Sequence, residues 1–313
     1  MTSRKPTTGP SEDLKHLMNS YGEYFIQEFG EHFESLPEEL NESRDHVLSI
    51  PIEYSDLKKY PHITDSLVDD VLKSVDIACT VMNDRSRELN EVEYRLRPRL
   101  VGLPENKERT IDSLRMRDRS KFFSFECMVS HVNPVMGYIK SAGYTCRDCG
   151  VQLKIPQKIA RERRKPRFCM SCVEIAIEKD GAPPPHPPGW LELDIENCEY
   201  EDIQYVELTN WVPRPDRPTP DPIAKIDAIL DDELVATLKE GQFVKVNAVV
   251  EVDHLPGRDY IKDTRRLLIL RVLSIEKLED LEYQSRVEMF ERLRLEEDGS
   301  EQVEFGQVGL EEI

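Results

Sequence analysis

Apolar positions change their spacing midway along the chain. Leu14, Leu17, Met18, Tyr21, Phe25 and Phe29 recur at steps of three and four, which predicts an amphipathic helix entered through Ser11 and stopped near Gly30. Residues 47–54 alternate as a short strand does, with a break at Pro51. Leu67, Val68, Val71, Leu72, Val75, Ala78, Cys79 and Met82 then mark one face of a second long helix, ended by Asn83 and Asp84. Cys79 reads as a packing thiol on that face, and Tyr24, Phe25, Phe29 and Phe33 read as core. Residues 1–10 are polar and hold two prolines, a composition without a packing face.

After Pro104 the period becomes two. Residues 121–131 place Phe123, Phe125, Cys127 and Val129 on one face, and Phe122, Ser124, Glu126 and Met128 on the other. Further strands are expected at 191–195, 203–208, 225–230, 244–252 and 267–275. That number fits a five-stranded barrel of the OB type, a common platform for single-stranded nucleic acid, although strand number alone does not choose it over other small barrels. Two proline-rich interruptions stand out. Residues 183–188 form a stiff connector in which His186 is a solvated loop residue. Residues 210–222 form a long loop whose Trp211 either meets a partner or covers the barrel.

Two Cys-x2-Cys pairs, Cys146 with Cys149 and Cys169 with Cys172, lie between the first of these strands and the rest. Four thiolates at this spacing can close tetrahedrally on one Zn²⁺, and four protein ligands leave no position for a reactive water. The expected role is therefore structural. Val151, Leu153 and Ile155, with Val173, Ile175 and Ile177, read as short strands too few to fold unaided. A disulfide framework is disfavoured, because the seven cysteines are odd in number and no secretory signal precedes them.

The 313 residues carry a formal charge of −19, which argues against a polyanionic partner only if it is evenly spread. It is not. Residues 11–46 hold ten acids against Lys15 and Arg44, whereas residues 137–172 hold nine Lys or Arg against Asp148 and Glu162. Three basic groups follow. Arg115, Arg117, Arg119 and Lys121 alternate toward the first barrel strand, where extended chain would project them from one side as a row facing phosphates, beside a Phe122 ring able to stack on a base. Lys158, Arg161, Arg163, Arg164, Lys165 and Arg167 lie between the cysteine pairs, and either follow a nucleic-acid backbone or stay solvated. Arg258, Lys262, Arg265 and Arg266 surround a connection between two strong strands, too long for a tight turn, which predicts a projecting basic hairpin. No apolar run approaches the roughly 18 residues of a membrane span, so a soluble intracellular protein is expected. No G-x-x-x-x-G-K-[ST] occurs, so no phosphate cradle of an ATPase is present.

The run from Leu114-Arg115 to Lys121 and Val129, the paired cysteines, Leu191-Glu192-Leu193-Asp194, residues 229–235, and Lys239-Glu240-Gly241-Gln242 before Val244-Lys245-Val246 together resemble the N-terminal region of minichromosome maintenance (MCM) replicative helicases, most closely archaeal ones. Residues 52–57 are similar to that family's helical part, and the order of the parts carries the likeness from about residue 12 to 278. The resemblance implies a multidomain α+β chain: an N-terminal helical bundle over 1–104, an OB-fold β-barrel over 105–136 and 201–278, a zinc-binding four-cysteine β module over 137–200 inserted in it, and an acidic linker, 279–313, toward an AAA+ motor. It implies a hexamer or double hexamer around single- or double-stranded DNA, with replisome proteins such as GINS as partners, in an archaeal cytoplasm or a eukaryotic nucleus. ATP and Mg²⁺ would belong to the motor alone. DNA contacts would fall among Arg115, Arg117, Arg119 and Lys121 and on the hairpin's Arg258, Lys262, Arg265 and Arg266. An inter-domain communication loop would hold Asn210, Trp211, Arg214 and Arg217. Thr209-Asn210 and Ile223-Ala224 depart from the family's usual glutamate and arginine at the two ends of that loop.

Two other classes remain beside this reading. One is a stand-alone zinc-containing OB protein that coats single strands. The other is a nuclease or metal hydrolase, opposed by the filled metal site and by the lack of a compact His/Asp/Glu cluster.

Overall fold

The computed structural model describes residues 12–40, 47–89, 95–158, 163–180, 190–210, 224–254 and 264–277. They divide into two compact units, one made of Asn133–Tyr205 with Leu230–Ala236 and the other of the remaining chain. No helix among the described residues is long and apolar enough to cross a membrane.

In the larger unit, helix α1 spans Glu12–Leu40 and passes straight through Gly30, where the sequence predicts a stop. Glycine in a helix interior costs only about 1 kcal/mol, less than the gain from extending a packed helix. Strand β1, Val47–Glu53, likewise runs through Pro51. It pairs on one side only, with the parallel strand β2, Arg95–Val101, and an edge strand tolerates a missing N–H. A short helix α2, Tyr54–Leu57, follows, and the second predicted helix is in fact two: α3, Pro61–Asp69, and α4, Val71–Leu89. Asp70 is extended between them, and its carboxylate accepts the N–H of Lys73 at 3.1 Å, which caps α4. Asn83 does not end α4. Its amide accepts the N–H of Leu96 at 2.8 Å and donates to the Leu96 carbonyl at 3.0 Å, serving β2 as a strand neighbour would.

These helices share one core with the sheet that follows. Tyr24, Phe25, Leu57, Ile63 and Met82 pack in a cluster that also contains Phe122, Val249 and Leu273. Polar bonds join the same surfaces. Arg99 donates to the Leu273 carbonyl at 2.9 Å, Asn247 donates to the Leu100 carbonyl at 3.2 Å, and Ser274 donates to that carbonyl as well. Phe122, expected as an exposed stacking face, is 3% exposed and belongs to this core. Phe33 lies where side chains are outside the described residues.

The main sheet begins with β3, Phe122–Val132, which pairs antiparallel with β9, Phe243–His254, along its first half and with β7, Glu199–Thr209, along its second. β10, Arg266–Lys277, pairs antiparallel with β9 and parallel with β8, Lys225–Asp231. Phe125, Cys127, Val129, Val244, Val246 and Leu270 are fully buried.

The smaller unit is built on β4, Met136–Cys146, flanked by β5, Gln152–Pro156, by β6, Leu191–Leu193, and by the first half of β7. Val173, Ile175 and Ile177 are not a strand. They lie on helix α5, Met170–Asp180, where Ile175 and Ile177 are 44% and 40% exposed. Their alternation reflects outward apolar residues, so the module is mixed α and β. The connector with His186 is outside the described residues.

Candidate metal centre and nucleic-acid interface

The two cysteine pairs arrive by different local routes. Cys146 ends β4, and Gly150 closes the turn after it: its N–H donates to the Cys146 carbonyl at 2.8 Å, and its φ of +73° is one that residues bearing a Cβ rarely adopt. The Cys146 N–H returns to the Val151 carbonyl at 2.9 Å. Cys169 precedes α5 and Cys172 lies in its first turn, with the Val173 N–H donating to the Cys169 carbonyl at 3.2 Å. A helix start directs unpaired N–H groups and partial positive charge at sulfur, which favours thiolate.

All four sulfurs lie within 4.8 Å of one another. Cys146 Sγ is 3.7 Å from Cys172 Sγ, and Cys149 Sγ is 3.6 Å from Cys169 Sγ. Four sulfurs placed tetrahedrally at a Zn–S bond of about 2.3 Å would be about 3.8 Å apart, so the spacing fits such an ion. The cysteines are free. Backbone N–H groups of Cys149 and Asp148 draw the Cys146 thiol down to about 7, whereas burial and the adjacent thiols push Cys172 up. One thiolate thus forms readily, and a cation is what would hold all four. Tyr144 supports the group from β4, buried, with its hydroxyl donating to the Arg164 carbonyl at 2.9 Å.

The remaining cysteines are engaged elsewhere. Cys79 donates to the Leu96 carbonyl at 3.4 Å and Cys198 to the Asp194 carbonyl at 3.2 Å. Cys127 is fully buried, and burial raises its pKa.

The Arg115 row is not extended. Met116–Asp118 is a turn of 3-10 helix and Ser120 has φ +64°, so the four cations cannot project as an alternating strand does. Arg115 turns back instead: its guanidinium donates to the carbonyls of Asp112 at 2.6 Å and Leu114 at 2.7 Å, and its N–H donates to the Asp118 carboxylate at 3.0 Å. Lys121 pairs with Asp118 at 3.1 Å. Arg117 and Arg119 are exposed. Two cations outside the three predicted basic groups stand nearby. Lys107 titrates low through burial and the charges of Arg109 and Lys121, and Arg109 lies 5.0 Å over the Phe123 ring. The short Lys107-Glu108-Arg109 alternation is the one signal of them in the sequence.

Asn210, at the base of the long loop, is a structural clamp. Its amide donates to Asp112 at 2.5 Å, and its oxygen accepts the Ile111 N–H at 3.0 Å. The Asn210 bond first, with a bond from Thr110, one from its own backbone and the charge of Arg115 outweighing burial, holds the Asp112 carboxyl below its usual range. Trp211, Arg214 and Arg217 lie outside the described residues, as do Arg161, Arg258 and Lys262. The arms of the basic hairpin are described up to the pair His254 and Arg266, with Arg265 exposed beside it.

Residues 110–254 match the family model described as the MCM OB domain. The fold is similar to the crystal structure of the N-terminal domain of an archaeal MCM, with a TM-score of 0.63 and 19% identity, covering 85% of this chain and 99% of that one. Comparison with curated proteins finds no match.

Proposed function

Starting from a chain that carries an MCM OB domain on the fold of an MCM N-terminal region, we propose that this protein is the DNA-binding, ring-forming tier of an MCM-type replicative helicase. It would encircle DNA and orient it for an ATP-driven motor. The observation that carries the reading is the four-thiol unit inserted between β3 and β7 of that OB domain, in a chain whose β9 and β10 arms lead to a basic connection.

In this reading Cys146, Cys149, Cys169 and Cys172 hold a structural Zn²⁺. Arg117, Arg119, Arg265 and Arg266, with Arg258 and Lys262, meet phosphates, while Arg115 and Lys121 shape the segment that presents the first two. The loop holding Trp211, Arg214 and Arg217 relays motor state. Its base suits that role, because Asn210 is bonded to Asp112 and Ile111, just ahead of Arg115. Self-association draws support from the smaller unit. It contributes eight of the twelve large apolar side chains left exposed among the described residues, among them Met136, Ile175, Ile195 and Tyr200. Apolar exposure gathered this way marks interaction surfaces. Assembly as a hexamer or double hexamer, GINS-like replisome partners and an intracellular location belong to the same proposal.

Binding of a labelled oligonucleotide across a salt series tests it. Affinity should fall with salt, and Arg258→Ala with Lys262→Ala should weaken binding to all sequences and reduce the slope by about 0.7 to 0.9 for each phosphate no longer neutralised. Salt-independent binding, or an unchanged slope in the double variant, would remove the hairpin from the account.

A further inference from the structure

The smaller unit holds a groove of about 420 Å³ beside the metal centre, lined on one part by Trp190 and on others by Arg163, Lys165 and Glu192. Trp190 is 64% exposed, although indole is a side chain that folding ordinarily covers. Its backbone is nevertheless fixed. The Arg147 N–H donates to the Trp190 carbonyl at 2.9 Å, and the next residue, Leu191, pairs with Cys146 at the start of β6.

The backbone of Arg164, in the basic group between the cysteine pairs, is fixed as well. Gln157 accepts the Arg164 N–H at 2.7 Å and donates to the Arg164 carbonyl at 3.2 Å, and Tyr144 donates to that carbonyl at 2.9 Å. With Arg164 pinned, Arg163 and Lys165 both line the groove, and Lys165 Nζ stands over one face of the Trp190 ring, 5.3 Å from its centroid, so a base stacking on that face would take the ammonium's place and leave it to the phosphate. Neither has a carboxylate partner among the described residues. Glu192 is ion-paired with Arg147. Its charge repels phosphate and can accept an amino group, so an anion entering the groove goes to Arg163 and Lys165.

We propose that this groove is a nucleotide subsite, in which one unpaired base of a single strand stacks on Trp190 while its phosphate meets Arg163 and Lys165. The inference rests on the DNA-binding reading above and adds to it a contact on the metal-bearing unit that discriminates single strand from duplex. An exposed aromatic on a preset backbone, beside cations without a carboxylate partner among the described residues, has the two components such platforms combine, a π-face and a phosphate partner. The groove's volume suits one nucleotide, whereas a base within a duplex offers no free face.

The two tryptophans of the chain make this measurable. In zinc-loaded protein carrying Trp211→Phe, Trp190 is the sole indole, so its emission reports the groove while the anisotropy of a labelled oligothymidylate reports total binding in the same sample. Oligothymidylate should quench Trp190, and inorganic polyphosphate or duplex should not. Trp190→Ala in the unmodified chain should weaken single-strand binding about ten-fold, the scale of one stacked base removed, and Trp190→Phe should restore most of it. Binding without quenching would overturn the subsite and leave the proposed function standing. Equal quenching by polyphosphate would make the groove an anion site only, and quenching by an acidic peptide instead of DNA would assign it to a protein partner; either result overturns the proposal. Absence of any oligonucleotide binding would overturn both readings.

Discussion

The two units hold themselves together by different means. One core cluster of the larger unit gathers eighteen buried apolar residues from helices, the β1–β2 pair and the OB sheet, and that sheet buries others, Phe125, Cys127 and Val129 among them. The smaller has five in its cluster, Ala142, Tyr144, Cys146, Cys169 and Leu191, and two of these are the candidate ligands themselves. It also carries eight of the twelve large apolar side chains that are exposed among the described residues. A core of that size does not offset the entropy of ordering its residues. On the proposed reading the smaller unit would depend on a cation held by its four cysteines for order and would offer its outward apolar residues for contact, whereas the larger unit is ordered through burial.

The sharpest way to break this contrast is to remove the metal. Chelation at neutral pH, or Cys169→Ser, should abolish amide-exchange protection in β4, β5 and β6 and leave β3, β9 and β10 protected. Zinc binding in small peptides contributes about 10–16 kcal/mol, so the loss should be complete. Protection that survives in β4 would end the claim of metal dependence. Next in size, Phe122→Ala should cost about 3–5 kcal/mol and lower the denaturation midpoint of helices and OB sheet together, since its ring lies in their common core. Metal content should not change. Separate transitions for helices and sheet would contradict that shared core.

A smaller effect comes from Tyr21, which shares a hydrogen bond with Ser74 at 2.8 Å and is pushed up to about 12 by burial. An unfolded tyrosine loses its proton near pH 10, so the folded state holds the proton more tightly. Stability from this group is whole below about pH 10 and is lost as pH rises through about 12, a change of about 3 kcal/mol. Tyr21→Phe should flatten alkaline unfolding of the larger unit; an identical alkaline limb would contradict the assignment. Least in energy, Arg117→Ala with Arg119→Ala should lower the salt slope of single-strand binding by about 0.7 for each phosphate left without its cation, and should not shift thermal stability. An unchanged slope would exclude that segment from the interface.

Legibility follows how local each signal is. The cysteine pairs can be read because ligand spacing is a covalent property of the chain, and the structure does gather all four sulfurs. The strands of the OB sheet can be read from period two. β2 alternates from Arg95 to Leu100 with period two, but Pro98 within the run argues against a strand; pairing with β1 along its length makes it one, and Arg99 ties it to Leu273. β4 escapes it because Gly137, Lys140, Ser141 and Gly143 dilute its alternation. α5 imitates a strand because Val173, Ile175 and Ile177 stand at steps of two on a helix, with Val173 half-buried and Ile175 and Ile177 exposed. The expected Arg115 row fails through backbone, since a 3-10 turn and the left-handed Ser120 are set by contacts that residue spacing does not encode. Phe122 fails as a stacking face because a strand covered on both sides gives no open face to read.

The central claim is a self-assembled ring around nucleic acid, and native mass spectrometry of the zinc-loaded protein with and without a single-stranded oligonucleotide tests it most directly. The account predicts hexamers or dodecamers carrying one zinc per chain and retaining the strand. A strictly monomeric protein, binding more copies as the strand lengthens, would contradict it.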